Sequence, residues 1–394
     1  MSTREPIDLG AATQPFGPDE FRRRIHRLRE QMSQAAVGCT LVHSPSAIYY
    51  FSGYQTVSSN QYACLLIPLD NEPILILWHL EVAGASRTSW MSRFVTYETG
   101  EDPTAPTCRE AQAWISDRGL LAVELQAAAL PPRMYKTIEA AFTPGRIVDA
   151  GPLFDAVRRV KSDEELECYR RAAPLTDAAM KATVAAATSG RTDNEAAAAG
   201  LQAMIAGGSD YPCLPAIVSA GEQSAVAHST FANVRLKSGD GIVVELGACV
   251  RRYSAPLMRT VCVGPASAVV REMHAAAAEV LDCVLAELRP GVAAEDIAKA
   301  AWRRMPTYPD LVFHGVFGYA VGAGFPPGWA DGTVRIRLTN PQPIEVGMVL
   351  HIPIAFRRPP IAGVAVSETV IVTGRGVEIL GNTPRRLLMG GEAL

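Results

Sequence analysis

Ser238–Gly264 reads SGDGIVVELGACVRRYSAPLMRTVCVG. Two strand-like runs, IVVELGA and MRTVCV, fall inside it, and Glu245 interrupts the apolar series Ile242-Val243-Val244-Glu245-Leu246. A carboxylate buried in a strand is costly unless it is paired or hydrogen-bonded, so Glu245 needs a reason to be there. One reason is chemical: a general acid, a general base or an anchor for a cationic substrate, with desolvation raising its pKa. The other is structural, an ion pair to Arg251, Arg252 or Arg259.

Working outward, MVLHIPIAF (348–356) and VAVSETVIV (364–372) read as further strands, as does AIVSAG (216–221). Side chains two apart on a strand share a face, so His351 and Pro353 point together. Ser367 and Glu368 must then point apart, with Ser367 inward. Helices are expected at about 192–206, at 266–288 and over EDIAKAAWRRM. Ser162 followed by Glu165 has capping-box spacing and should open a long helix. Upstream, a helix follows Pro18, with Phe21, Ile25, Leu28 and Met32 at helical spacing. CTLVHSP, YACLLIPL, EPILILWHL, GLLAVEL and GRIVDAG read as strands there. VAGASRT, EAQAWISDRG and PRMYKTIEAAF are the helical stretches among them. The pattern divides the chain into a loose segment 1–17, a small α/β domain 18–158 with a mixed sheet, and an α+β domain 159–394.

The chain has 394 residues, 48% hydrophobic and 20% charged, with a net charge of −3. That describes a globular protein long enough for two domains and gives no electrostatic support to nucleic-acid binding. The N-terminus lacks an apolar targeting core and no long uncharged apolar run follows, so a cytoplasmic protein without membrane spans is expected. The 8 cysteines show no C-x-x-C or zinc spacing and read as reduced, mostly buried thiols. There is no G-x-S-x-G, no Walker loop and no G-x-G-x-x-G after a strand.

GDGIVVELGA, RRYSAPLMRTVCVG, HGVFGYAVGAGFPPGW, GMVLHIPIAF and GVAVSETVIVT together resemble the creatinase/prolidase/methionine-aminopeptidase superfamily. The resemblance extends from FRRRIHRLREQM near the start to ETVIVTGRGVEIL near the end. It implies a pita-bread catalytic domain preceded by a smaller creatinase-type α/β N-terminal domain, and a homodimer. Metal-binding members hold two cations with two Asp, one His and two Glu. The matching positions here are Glu245, Pro256, Tyr319, Pro353 and Ser367, which implies no metal and no other cofactor. Within the superfamily the chain is similar to the metal-free creatinases and, more closely, ectoine hydrolases. It shares with the latter Ala227-His228-x-Thr230, Glu245-Leu246, Arg252-Tyr253, Pro256-Leu-x-Arg-Thr260 and Gly347-Met-x-x-His351. Met258 and Pro353 stand where creatinases carry guanidinium-gripping carboxylates. No carboxylate lies between 223 and 239, where the ectoine branch has one, so neither creatine nor ectoine itself is indicated.

The resemblance makes His228, Glu245 and Tyr319 the catalytic candidates. An imidazole titrates near neutral pH, and a phenol can donate to a developing oxyanion or leaving nitrogen. His351 and Ser367 are expected to face the former metal site. Tyr253, Phe317, Phe325 and Trp329 are candidates for an aromatic wall around a cation, with core packing as the alternative. The expected activity is hydrolysis of a C–N bond, amide or amidine, in a small polar nitrogen-rich substrate. A non-hydrolytic isomerase, lyase or cyclase, and a silent binding protein, are the competing readings.

Overall fold

The computed structural model describes residues 3–4, 7, 13–58, 60–115 and 119–394. The chain folds as two units, Met1–Arg158 and Arg159–Leu394.

In the first unit the strands are β1 (Thr3–Arg4), β2 (Val37–Val42), β3 (Cys64–Pro68), β4 (Ile74–Trp78), β5 (Phe94–Tyr97), β6 (Leu120–Val123) and β7 (Ile147–Asp149). They lie in the order β1-β5-β4-β3-β2-β6-β7. The sheet is mixed: β2, β3 and β4 pair antiparallel, while β4–β5, β2–β6 and β6–β7 are parallel. Its helices are α1 (Pro18–Gln34), α2 (Pro45–Ser52), α3 (Val82–Thr88), α4 (Thr104–Gln112), α5 (Pro132–Ala140) and α6 (Gly151–Arg158). Phe21, Ile25, Leu28 and Met32 are all buried on α1, as the helical spacing requires. Helix α4 starts earlier and stops sooner than EAQAWISDRG implied, and 116–118 lie outside the described residues. Most of the segment 1–17 also lies outside them, although Thr3–Arg4 pairs antiparallel with β5.

The second unit opens with α7 (Asp163–Ala186), where Ser162 and Glu165 form the capping box. Thr192 and Glu195 form a second one for α8 (Asp193–Ala206). Next come β8 (Ile217–Ala220), β9 (Gly241–Val250), β10 (Tyr253–Cys262), α9 (Ala268–Glu287) and α10 (Ala294–Trp302). The remaining strands are β11 (Gly318–Phe325), β12 (Gly328–Ile336), β13 (Val349–Arg358), β14 (Ala362–Thr373), β15 (Gly376–Ile379) and β16 (Leu388–Met389). The sheet runs β15-β14-β13-β11-β10-β9-β8, with β12 on β11 and β16 on β10. Only β16 pairs parallel to its neighbour.

Two apolar layers hold it. Val280, Leu281 and Val284 of α9 pack with Leu350, Ile352 and Val366. Met180 and Val184 of α7 pack with Val244, Leu246 and Leu257. Each such side chain, fully buried, contributes roughly 1.5–3 kcal/mol.

The sheet curves until β10 and β14, which are not ladder neighbours, touch through side chains. Thr260 Oγ1 donates to the Ala365 carbonyl at 2.9 Å and accepts from the Ala365 N–H at 2.8 Å. Beneath them the Arg259 guanidinium, fully buried, pairs with Glu368 at 2.9 Å. Along the middle of this curve the ladder is open. β10 meets β11 only at Tyr253↔Ala323, and β11 meets β13 only at Tyr319↔His351 and Ala320↔Leu350. Pro256 and Pro353 stand on those open stretches, where a missing donor is tolerated inside a sheet.

The β9–β10 turn places Arg251 and Arg252 at φ 49° and 66°, a conformation that costs a side-chain-bearing residue on the order of 1 kcal/mol or more. The Arg252 side chain offsets it. It donates to the Gly324 carbonyl at 3.0 and 2.8 Å and to the Tyr211 carbonyl at 2.8 Å, and it stacks over the Tyr211 ring.

Candidate active site

Within the second unit a cavity of about 580 Å³ opens where the ladder is parted. Glu245 of β9, Tyr319 of β11, Trp329 of β12 and Pro353 of β13 line it, with His228 from the loop after β8. Strand alternation explains the β13 contribution: His351, Pro353, Ala355 and Arg357 project to one side. The last two reach the cavity as well, and His314 joins them from the segment before β11. Neither His314 nor Arg357 was singled out from the sequence. Two further steps of the same alternation would have reached Arg357, whereas His314 lies on an irregular segment with no period to follow.

Glu245 is 5% exposed, and burial pushes its pKa up to about 8, against a weaker opposing pull from Arg357. Among the described residues neither Arg252 nor Arg259 pairs with it. Arg259 is taken by Glu368, and Arg252 by Gly324 and Tyr211. His228 is exposed at the cavity wall with φ 58°. It shares the cavity with Glu245, and no direct hydrogen bond joins the two among the described residues.

Behind the cavity wall runs a hydrogen-bonded chain. Trp329 Nε1–H donates to Tyr319 Oη at 3.1 Å, Tyr319 Oη lies 3.0 Å from His351 Nδ1, and His351 Nε2 lies 2.8 Å from Ser367 Oγ. The Met258 N–H donates to the same Ser367 Oγ at 2.7 Å. The roles of the two ring nitrogens depend on the tautomer, and burial favours the one in which the fully buried Ser367 hydroxyl donates to His351 Nε2 while Tyr319, on the cavity wall, can donate to what the cavity holds. In that tautomer Nδ1 carries the ring's proton and donates it to Tyr319 Oη. With Trp329 also donating there, the tyrosine has two incoming bonds, and its own proton is left for the cavity. Burial, with smaller contributions from His314 and Arg259, pulls the His351 pKa down to about 3, which keeps the ring neutral. Burial first and Glu245 second hold the Tyr319 phenol well above its ordinary value, so it stays protonated.

Trp329 reaches this position because residue 247 is glycine. A Cβ there would stand 2.8 Å from the indole ring. The indole thus lies against the Gly247 backbone.

The other expected binding residues lie elsewhere. Phe317 is fully buried in the core beneath α9 and α10. Tyr253 is buried too, its hydroxyl donating to Glu165 at 3.0 Å. Phe325 packs against Arg252. None of these three lines the cavity, so of the proposed aromatic wall only Trp329 stands there. The physical reason is strand geometry: Phe317 and Phe325 belong to segments whose inward faces meet the helices and the β9–β10 turn. His351 and Ser367 are buried behind Tyr319 and joined to it by hydrogen bonds.

Against this geometry the comparisons with known proteins can be set. Residues 24–160 match the Creatinase/Prolidase N-terminal domain, and residues 167–374 match Metallopeptidase family M24. The chain belongs to family M24: a creatinase-type N-terminal domain followed by the pita-bread catalytic domain. It is 26% identical over 395 residues to the ectoine hydrolase of Halomonas elongata, covering 95% of this chain and 98% of that one. It is 24% identical over 372 residues to the Xaa-Pro dipeptidase of Pyrococcus furiosus, covering 93% and 100%. Among solved structures, a prolidase from Thermococcus sibiricus superposes with TM-score 0.84 at 20% identity, covering 95% of this chain and 100% of that one. Dipeptidase PepE from Mycobacterium ulcerans gives 0.81 at 22%, covering 95% and 99%. These structural likenesses show the fold.

The family name implies a metal, and the residues present do not fit one. Of the five matching positions only Glu245 is a carboxylate. Pro256 and Pro353 offer none, the Ser367 hydroxyl is committed to His351 and Met258, and Tyr319 keeps its proton. Hard divalent cations need several oxygen ligands each. Among the described residues no group of three or more His, Cys, Asp or Glu side chains is placed to hold a metal ion. None of their helices is long and apolar enough to cross a membrane. All 8 cysteines are free, and Cys283 alone is not buried.

Proposed function

We propose that this chain is a hydrolase that opens a C–N bond, amide or amidine, in a small polar nitrogen-rich compound without a metal ion. The observation that carries the reading is a lone buried carboxylate, Glu245, sharing one cavity with the Tyr319 phenol, which is hydrogen-bonded to Trp329 and His351. Its similarity to the Halomonas elongata ectoine hydrolase supports C–N hydrolysis. The Xaa-Pro dipeptidase relative suggests peptide bonds instead, but a metallopeptidase makes its hydroxide on metal, and the donor set here does not fit one.

Glu245 in its ionised form takes a proton from a water poised over the electrophilic carbon. The water oxygen bonds to that carbon, and Tyr319 donates a hydrogen bond to the charge that develops. The C–N bond then breaks, its electron pair going to nitrogen, which receives a proton from Glu245 or His228. Each well-placed acid or base contributes about 10²–10⁴-fold, and substrate positioning supplies much of the remainder. Because the unliganded carboxyl has a pKa near 8, kcat/KM should rise with pH toward a plateau above that value.

The test is turnover in H₂¹⁸O. The product of the parent protein should carry one label per bond opened, and Glu245→Gln should lose at least about 10²-fold in kcat with its circular dichroism unchanged. Unlabelled product, or a Glu245→Gln variant that turns over like the parent, overturns the reading.

A further inference from the structure

Away from Glu245, two thiols of the second unit lie side by side. Cys213, in the segment between α8 and β8, has its Sγ 3.6 Å from the Cys249 Sγ of β9, and both side chains are fully buried. The surroundings favour a thiolate at Cys213. Arg252 Nη2 donates to its sulfur at 3.0 Å and the Ser254 hydroxyl at 3.3 Å, and in its thiol form Cys213 donates to the Gly324 carbonyl at 3.1 Å. The hydrogen bond with Cys249 does most to hold the Cys213 thiol below its ordinary pKa, and Arg252 and Ser254 pull the same way against burial. Burial holds Cys249 well above the ordinary value, so it keeps its proton. By contrast, burial pushes Cys108 and Cys262 up to about 11. The pair also borders the cavity. Leu214 and Pro215, the next two residues after Cys213, line it, as does Trp329. Gly324 packs so closely here that a Cβ on it would stand 2.9 Å from Trp329 Cα and 3.0 Å from the Cys213 sulfur.

We propose that Cys213 and Cys249 form a redox-active dithiol that hydrogen peroxide, entering from the cavity side, closes to a disulfide, and that closure reshapes the cavity through Leu214, Pro215 and Trp329. Thiolate character selects which cysteine is oxidised first. The Cys213 sulfur bonds to one peroxide oxygen as the O–O bond breaks, and the departing hydroxide takes the proton released by the Cys213 thiol and leaves as water. The Cys249 sulfur then bonds to the Cys213 sulfur and displaces the sulfenic oxygen, which leaves with the Cys249 proton as a second water. Two thiols are oxidised and one peroxide is reduced. A thiol reductant reverses the step by exchange. Disulfide sulfurs lie about 2.05 Å apart, so both residues must move, and a close-packed interior passes such a shift to its neighbours. Closure also removes the S–H donor to Gly324 and the sulfur charge that faces Arg252. The effect on turnover rests on Glu245 marking the reaction centre, whereas the dithiol does not.

The experiment is peptide mapping by mass spectrometry of the full chain, reduced with dithiothreitol, treated with hydrogen peroxide, and blocked with N-ethylmaleimide in denaturant. Peptides carrying Cys213 and Cys249 should appear joined, before any other cysteine is oxidised, and should separate again with dithiothreitol. Cys249→Ser should give no joined peptides and should leave Cys213 as a sulfenic acid that dimedone traps. If that variant fails to fold, Cys249→Ala replaces it, and the parent's joined peptides decide by themselves. Tryptophan emission of the parent should shift on oxidation and return on reduction, and Trp329→Phe should lack the shift. Cys213 and Cys249 both blocked by maleimide after peroxide, or either joined to a different cysteine, overturns the dithiol. Joined peptides with unchanged emission, or a shift that survives Trp329→Phe, overturns its control of the cavity. Oxidation should also lower kcat/KM by about tenfold or more, reversibly. The joining needs no turnover, so it is read on Glu245→Gln as well. Joined peptides there, alongside unlabelled product in H₂¹⁸O, remove the hydrolase reading and leave the dithiol standing.

Discussion

Glu245 shows how a single residue can be costly for the fold and useful for chemistry. Its carboxyl has a pKa of about 8 in the folded protein against 4.5 for the free side chain, chiefly from desolvation. The folded state therefore binds this proton more tightly than the unfolded state does. The stabilisation is complete below about pH 4.5 and is lost as pH rises through 8. A tenfold difference in proton affinity corresponds to about 1.4 kcal/mol, so the loss is on the order of a few kcal/mol. Gln keeps the shape without the charge. Glu245→Gln should match the parent Tm near pH 5 and exceed it increasingly toward pH 9, as differential scanning calorimetry across that range would register. A gap that does not change with pH would mean that Glu245 is not desolvated as described. The unusual character of this residue was legible from IVVELGA, because a carboxylate inside an apolar run demands an explanation. Whether an arginine answered it was not legible, because Arg259 and Glu368 are 109 residues apart in sequence and only the curving of the sheet joins them.

At the scale of elements, four strands meet in one hydrogen-bonded chain. β10 supplies the Met258 N–H, β14 Ser367, β13 His351 and β11 Tyr319. Ser367→Ala removes both the acceptor for a buried N–H and the donor that sets the imidazole tautomer. Stability should fall by about 1–3 kcal/mol. Because the phenol's direction is lost with the tautomer, kcat should fall while KM stays within about twofold of the parent. Steady-state kinetics beside a denaturant melt separates the two effects, and a variant losing stability alone would make Ser367 merely structural. Strand alternation made much of this readable: His351 and Pro353 together, Ser367 inward and Glu368 outward follow from a period of two. The β11–β12 hairpin was not readable in that way. GYAVGAGFPPGW lacks alternation, so the positions of Phe317, Phe325 and Trp329 depended on which neighbours each strand met. Gly247 is the local device that admits Trp329, and nothing in its own segment announces the partner.

Across the whole molecule, family M24 architecture is retained around a cavity whose donor set does not fit a metal pair. Dialysis against a chelator should leave turnover unchanged. Inactivation rescued by added Mn²⁺ or Co²⁺ would show that other groups bind metal and would overturn the metal-free reaction. The sequence by itself determined the helices that open at Asp163 and Asp193, the inward and outward faces of β9, β13 and β14, and the family, because each of these is written in local spacing and residue type. Only the tertiary structure decided that Tyr319 lines the cavity in a chain with Trp329, His351 and Ser367, that Phe317 and Tyr253 belong to the core, and that Arg357 faces the cavity. Those depend on groups far apart in the chain being brought within hydrogen-bonding distance, and on which of them find partners once water is excluded.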